Sequence, residues 1–179
     1  MGLDDAVSAL VRERGKHLVR VAYQLTHDRN AAEDIVQEAL YQVCRSWSTR
    51  SGQPDRLEAY VRRAMINEFL KRRARRANSE MPTDTALERP ANGSFENLVA
   101  ERDALWRALA AISPRQRAVL VLRSYEQLED PEIASILRCR QATVRSLAAR
   151  GLQALRDSAG LAVVVSPIVT QKVVCHESD

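Results

Sequence analysis

The sequence predicts an all-α protein made of two small helical domains joined by a flexible linker, and three observations support this. Ala, Leu and Arg dominate the 179 residues while glycine and proline number only 6 each, which favours helix over sheet. Apolar residues recur at three- and four-residue spacings in both halves, the period of an amphipathic helix. Between the halves, NSEMPTDTALERPANGS (78–94) breaks that period with two prolines, a glycine and many small polar residues, the composition of an interdomain tether. The expected boundaries are a first domain over 1–77, a linker over 78–97, a second domain over 98–157 and an extension over 158–179.

The first domain holds three helices. Val7, Leu10, Val11, Leu18, Val21 and Leu25 mark one face of a helix over 4–25, with Asp4 and Asp5 at its positive N-terminal end. HDRN (27–30) is a polar break with capping residues, and a second helix follows to Trp47. STRSGQPD (48–55) has the composition of a loop, after which a third helix runs from about residue 55 to 76. In the second domain Leu98, Leu105, Leu109 and Ile112 share a helix face. Ser113-Pro114-Arg115-Gln116 supplies a capping serine, proline at the first helical position and glutamine at the third, opening a largely apolar helix, RAVLVLRSY. Asp130-Pro131 repeats that device.

PEIASILRCRQATVRSLAARGLQALR (131–156) places two amphipathic segments only a few residues apart, with arginine on both sides of the break. The small Ala134 suits a close helix crossing, Arg138 falls at the corner, and Val144 with Ile133, Leu137 and Leu147 completes an inward set. These are the offsets of a helix-turn-helix; a plain helical hairpin is the alternative. On the second helix Arg140, Gln141, Thr143, Arg145, Ser146 and, a turn later, Arg150 point outward. Arginine pairs bidentately with guanine and glutamine with adenine, while Arg138 and Arg140 at the corner suit phosphate. A solvated basic face is the simpler reading. Arginine in a left-handed corner costs about 1 kcal/mol relative to glycine.

Charge is distributed unevenly. The net value is +4, yet from Arg62 to Arg76 there are seven lysines or arginines and one acid, Glu68. Leu57, Tyr60, Val61 and Ala64 form the inward face of this helix, but after Leu70 positive charge points all round it. Such a cluster repels itself unless an anion lies close, and nucleic-acid phosphate fits that role. Asn67 and Phe69 stand just upstream, positioned to meet bases of an opened strand. A localisation or solubilising run is the alternative. AEDIVQEALYQVCRSW (32–47) separates into an apolar stripe of Val36, Leu40, Val43 and Trp47 and an opposite one of Asp34, Glu38, Tyr41 and Arg45, with Gln37 beside it. An exposed tyrosine next to two carboxylates points to protein docking; a merely wet helix side remains open.

Several classes are not expected. The three cysteines are far apart and odd in number, as in a reducing, cytoplasmic setting, and no histidine has ligand spacing to them. No secretory leader is recognised at the N-terminus, and LAVVVSPIV from Leu161 is too short to insert in a membrane. No nucleotide-binding loop, catalytic carboxylate pair or nucleophile triad is present, so neither enzymatic activity nor a cofactor is expected.

LVRVAYQLTHDRNAAEDIVQEALYQVCRSW followed by RLEAYVRRAMINEFLKRRARR resembles region two of the extracytoplasmic-function sigma factors of bacterial RNA polymerase. ALWRALAAISPRQRAVLVLRSYEQLEDPEIASILRCRQATVRSLAARGLQALR resembles region four, in the form common in actinobacteria, so the likeness covers about residues 5–157. It implies a factor that binds core RNA polymerase and promoter DNA and directs promoter-specific initiation. Asp34, Gln37 and Glu38 match the family's AEDxxQE motif for core docking, with Tyr41 on the same stripe. Arg63, Asn67, Lys71, Arg72 and Arg73 fall in the segment that grips and melts the −10 element, and loop 48–55 in the one that captures a flipped base. Arg138, Arg140, Gln141, Thr143, Arg145, Ser146 and Arg150 fall to the −35 element. An anti-sigma factor is a further candidate partner. The family usually carries Leu-Gly-Cys-Ser at the corner, where this chain has Leu137-Arg138-Cys139-Arg140. The branched tail beyond Arg156 exceeds the family's usual end; it either packs on a region or a partner's edge strand, or is a partly disordered tail. A stand-alone helix-turn-helix regulator is the alternative, and it leaves the AEDIVQE stripe and the basic helix without a role.

Overall fold

The computed structural model describes residues 3–47, 57–78 and 112–159. The expected loop 48–55, the linker beyond Asn78, the helix face of Leu98 to Leu109 and the tail from residue 160 lie outside these residues. Among the described residues the structure is helical throughout: α1 (Leu3–Thr26), α2 (Arg29–Trp47) and α3 (Leu57–Asn78), then α4 (Pro114–Leu120), α5 (Asp130–Leu137) and α6 (Gln141–Ala159).

The chain breaks where its capping residues dictate. His27 takes a left-handed φ of 57° after α1. Asp28 then caps α2, its Oδ1 accepting from the Ala31 amide at 2.9 Å. The helices of the first domain pack against one another, burying Leu18, Val21, Leu25, Ile35, Val36, Val43, Val61, Met65, Ile66 and Phe69. Each such apolar side chain withdrawn from water contributes about 1.5–3 kcal/mol. Two expected inward residues differ. Val11 on α1 is 43% exposed, and Tyr60 is 39% exposed because the α3 stripe runs through Leu57, Val61, Met65, Ile66 and Phe69 and carries Tyr60 to its edge.

In the second domain Ser113 Oγ accepts from the Gln116 amide and Gln116 Oε1 accepts from the Ser113 amide, the reciprocal cap expected from the sequence. Past Leu120 the helix widens over Val121–Tyr125, with the Glu126 amide reaching back five residues to the Val121 carbonyl at 3.2 Å. The cap of α5 sits one residue earlier than expected, at Glu129, whose amide donates to Glu132 Oε2. Asp130, freed from capping, carries ion pairs described below. The α5–α6 corner closes on Arg138 at φ 50°, ψ 52°. The Cys139 amide donates to the Ala134 carbonyl and the Arg138 amide to that of Ser135, a Schellman closure with arginine in the usual glycine place. Arg115 from α4 donates to the Leu137 carbonyl at 3.0 Å and covers the end of α5. Gly151 lets α6 cross α4 closely: a Cβ there would stand 3.1 Å from Leu120 Cδ1.

The two domains pack together and share one apolar cluster, α1 against the widened turn and α3 against α4 and α5. Polar side chains stitch this contact. Glu126, its side chain 2% exposed, lies 2.7 Å from His17 Nε2 and 2.6 Å from Arg62 Nε, and Glu58 bridges Arg62 to Arg14. Arg117, also buried, donates Nη1 to the Leu25 carbonyl near the end of α1.

Candidate functional site

Three constellations of polar side chains stand out, each held by a different element. On α6 the buried Val144 and Ala148, with the half-buried Leu147, fix the helix against Ile133, Ala134 and Leu137 of α5. That anchoring turns Gln141, Thr143, Arg145, Ser146 and Arg150 outward, and all are exposed, as are Arg138 and Arg140 at the corner. Arg150 Nη2 donates to Ser146 Oγ at 2.9 Å, so these two present a joint polar surface. Arg145 Nε lies 3.6 Å from Asp130 Oδ2, and the other Asp130 oxygen takes Arg123. The sequence reading did not single out Asp130 for this. A major groove is wide enough to admit a helix exposed in this way, and arginine and glutamine carry donors that can pair with base edges.

On α3 the basic run divides by partner. Arg63 is half-buried, and Asn67 and Lys71 are exposed. Phe69, expected to meet bases, is instead in the core at 1% exposure, with the Arg73 guanidinium 5.8 Å above its ring. Burial, and then repulsion from Arg76, lowers the Arg73 guanidinium from its usual value. Glu68, the one acid of the run, is buried. It accepts from Arg72 Nε at 2.9 Å and lies 3.5 Å from Lys71 Nζ. Burial alone would raise its carboxyl, but the Arg72 hydrogen bond and the two cationic charges hold it below the usual carboxylate range. The i,i+4 spacing of Glu68 and Arg72 was the available signal for this pair.

On α2, Asp34, Gln37 and Tyr41 are exposed and Glu38 is half-buried, on the face opposite Ile35, Val36, Ala39 and Val43. Together with Arg72 of α3 they line one open concavity. Tyr41 is 58% exposed with the Arg45 guanidinium 5.9 Å over its ring. Gln42 donates to Glu38 Oε1 at 2.8 Å. Paired carboxylates beside an exposed ring suit a cationic protein surface.

Cys44 and Cys139 are free thiols, no cluster of potential metal ligands occurs among the described residues, and no described helix is long and apolar enough to cross a membrane. An outward polar helix, a basic helix and an acidic–aromatic stripe stand on two packed helical domains, the combination expected of a DNA-binding transcription protein.

Comparison with known proteins gives the family. Residues 10–79 match the model of Sigma-70 region 2 and residues 102–155 that of Sigma-70, region 4. The chain is 36% identical to the RNA polymerase sigma-E factor of Streptomyces coelicolor, over 82% of each chain. It is 33% identical to the ECF RNA polymerase sigma factor SigE of Mycolicibacterium smegmatis, over 83% of this chain and 59% of that one. Among solved structures, the sigma factor RpoE in complex with the anti-sigma factor NepR from Bartonella quintana superposes with a TM-score of 0.61. That match covers 87% of this chain and 97% of that one at 20% identity, a likeness of fold. The protein belongs to the extracytoplasmic-function branch of the Sigma-70 family: it is a promoter-recognising sigma factor of RNA polymerase.

Proposed function

We propose that the three constellations divide the work of initiation. The α2 stripe of Asp34, Gln37, Glu38 and Tyr41 docks on core polymerase. Arg63, Asn67, Lys71 and Arg73 of α3 engage the −10 element, and Arg138, Arg140, Gln141, Thr143, Arg145, Ser146 and Arg150 read the −35 element. The observation carrying this reading is that the α6 residues and corner arginines are exposed together while Val144 and Ala148 lock the helix from behind. Phosphate contacts set register and affinity, and base-edge contacts from arginine and glutamine set sequence.

The work is done by binding energy, with no covalent step and no enzymatic activity of the chain's own. Opening the duplex costs a few kcal/mol per flipped base, offset by the contacts that the single strand gains. The factor acts in the cytoplasm, where polymerase and DNA are. The NepR complex of the Bartonella quintana relative supports an anti-sigma factor as a further partner of this chain. A stand-alone regulator leaves the α2 stripe idle and is not favoured.

Run-off transcription on a promoter library tests this, using core polymerase with wild type or Asp34→Arg/Glu38→Arg. Wild type is expected to start transcripts at a shared pair of elements and the variant to start none. Duplex binding without polymerase, and no gain of promoter specificity with it, overturns the reading.

A further inference from the structure

Arg72 lies in the run that the family resemblance assigns to −10 DNA, yet both its close partners are carboxylates. Its Nε donates to Glu68 Oε1 at 2.9 Å, and its Nη1 stands 3.6 Å from Asp34 Oδ2, on a different helix. Arg72 is 32% exposed, Asp34 63% and Glu68 only 6% by side chain, so the chain of charges runs from a buried anchor to an open surface. Arg72 also completes the concavity formed by Asp34, Gln37, Glu38 and Tyr41.

Asp34 and Glu38 are four residues apart on one helix face, where like charges repel. Each is steadied through one oxygen: Glu38 Oε1 by the Gln42 amide and Asp34 Oδ2 by Arg72. Among the described residues the remaining oxygens, Asp34 Oδ1 and Glu38 Oε2, have no such partner, which leaves one acceptor on each carboxylate for an incoming cation. A guanidinium tied at Nε to a buried carboxylate has little freedom to swing to a phosphate, because leaving would take the one close hydrogen bond from Glu68 Oε1 and leave Glu68 only Lys71, 3.5 Å from its other oxygen.

We propose that Arg72, anchored by Glu68, is a positioning residue of the polymerase-docking stripe rather than a −10 DNA contact. It offsets the repulsion between Asp34 and Glu38 and fixes the Asp34 carboxylate for a cationic group of the core enzyme. The proposal rests on the docking reading above.

The test measures two affinities of the full-length chain. Labelled factor is titrated with core polymerase; then, at saturating core, the holoenzyme is titrated with a single-stranded oligonucleotide carrying the −10 element of a promoter recovered from the run-off library. Arg72→Ala is expected to weaken core binding about fivefold, and by less than about twofold once Asp34→Asn is already present, the mark of a coupled pair. Strand binding at saturating core stays within about twofold of wild type, and Arg72→Lys restores part of the core affinity. Lys71→Ala is the comparator for a DNA contact and weakens the strand. Loss of strand binding with core affinity intact overturns the proposal, and so does equal loss of both, which marks a merely structural residue. If Asp34→Arg/Glu38→Arg leaves core affinity unchanged, it is the docking reading that falls; if that variant loses core affinity and Arg72→Ala does not, only the role of Arg72 falls.

Discussion

Arg117 donates through Nη1 to the main-chain oxygen of Leu25, 2.9 Å away across 92 residues of sequence, so the second domain closes the last turn of α1 in the first. A cation at a helix C-terminus, satisfying a carbonyl that has no partner within the helix, is favourable in hydrogen bond and in dipole. Against this, burial and then repulsion from Arg73 push the guanidinium down to about 10.

The balance of these effects predicts unequal variants. Arg117→Ala loses the cap and the packed stem, and is expected to cost about 2 kcal/mol, lowering Tm by about 5 °C. Arg117→Met keeps the stem and removes the buried charge, and is expected within about 1 kcal/mol of wild type. Calorimetry of both variants checks the order.

Arg138 holds a left-handed φ that glycine adopts without strain. Arg138→Gly is expected to gain about 1 kcal/mol of stability. If Arg138 also meets phosphate, the same change weakens −35 duplex binding and lowers the salt slope of affinity by about 1. Stability and affinity then move in opposite directions, read by denaturant titration and by duplex binding of the holoenzyme at several salt concentrations.

Glu68 has a folded-state carboxyl below its ordinary value of 4.5. The folded state therefore holds fewer protons than the unfolded chain as acid is added. Its stabilisation is present in full above pH 4.5 and is lost as pH falls through the depressed value. Glu68→Gln is expected to be less stable than wild type at pH 7 by about 1–2 kcal/mol, since half-exposed Arg72 and Lys71 rehydrate. The gap narrows on acidification. Thermal melts at pH 7, 5 and 4 check the sign.

Gly151 sits where an added Cβ would be 3.1 Å from Leu120 Cδ1 and 3.3 Å from Gln116 Cβ. Gly151→Val overfills this crossing and is expected to cost about 1–3 kcal/mol. Because α4 backs the recognition helix, −35 binding should suffer more than core binding, measured as the ratio of the two affinities.

The elements were legible where a periodic apolar stripe coincided with a cap. Ser113 with Gln116 marked the start of α4, and Ala134, Val144 and Leu137 at their offsets marked the helix-turn-helix with its corner at Arg138. Tyr60 was misplaced because an amphipathic aromatic fits either side of a stripe, and only packing decides which. Asp130 leaves the cap position to Glu129, whose amide takes Glu132 Oε2, because Arg123 and Arg145 both draw on the Asp130 carboxylate. The charges beside Phe69 suggest an exposed ring, but its volume belongs to the core. Contacts across long separations, such as Glu126 with His17 and Arg62, leave no periodic trace in a sequence.

The shielded carboxylate of Glu126 and the buried Arg117 give the two domains a common fate. Neither side of their contact can come apart without returning a carboxylate and a helix-end carbonyl to water, so the domains inherit one another's weaknesses. A lesion in α1 near His17 or Leu25 is expected to reach the proposed reader of the −35 element through that shared boundary. Mutational sensitivity in this chain is thus expected to follow the seam between its halves as well as the surfaces proposed to touch DNA.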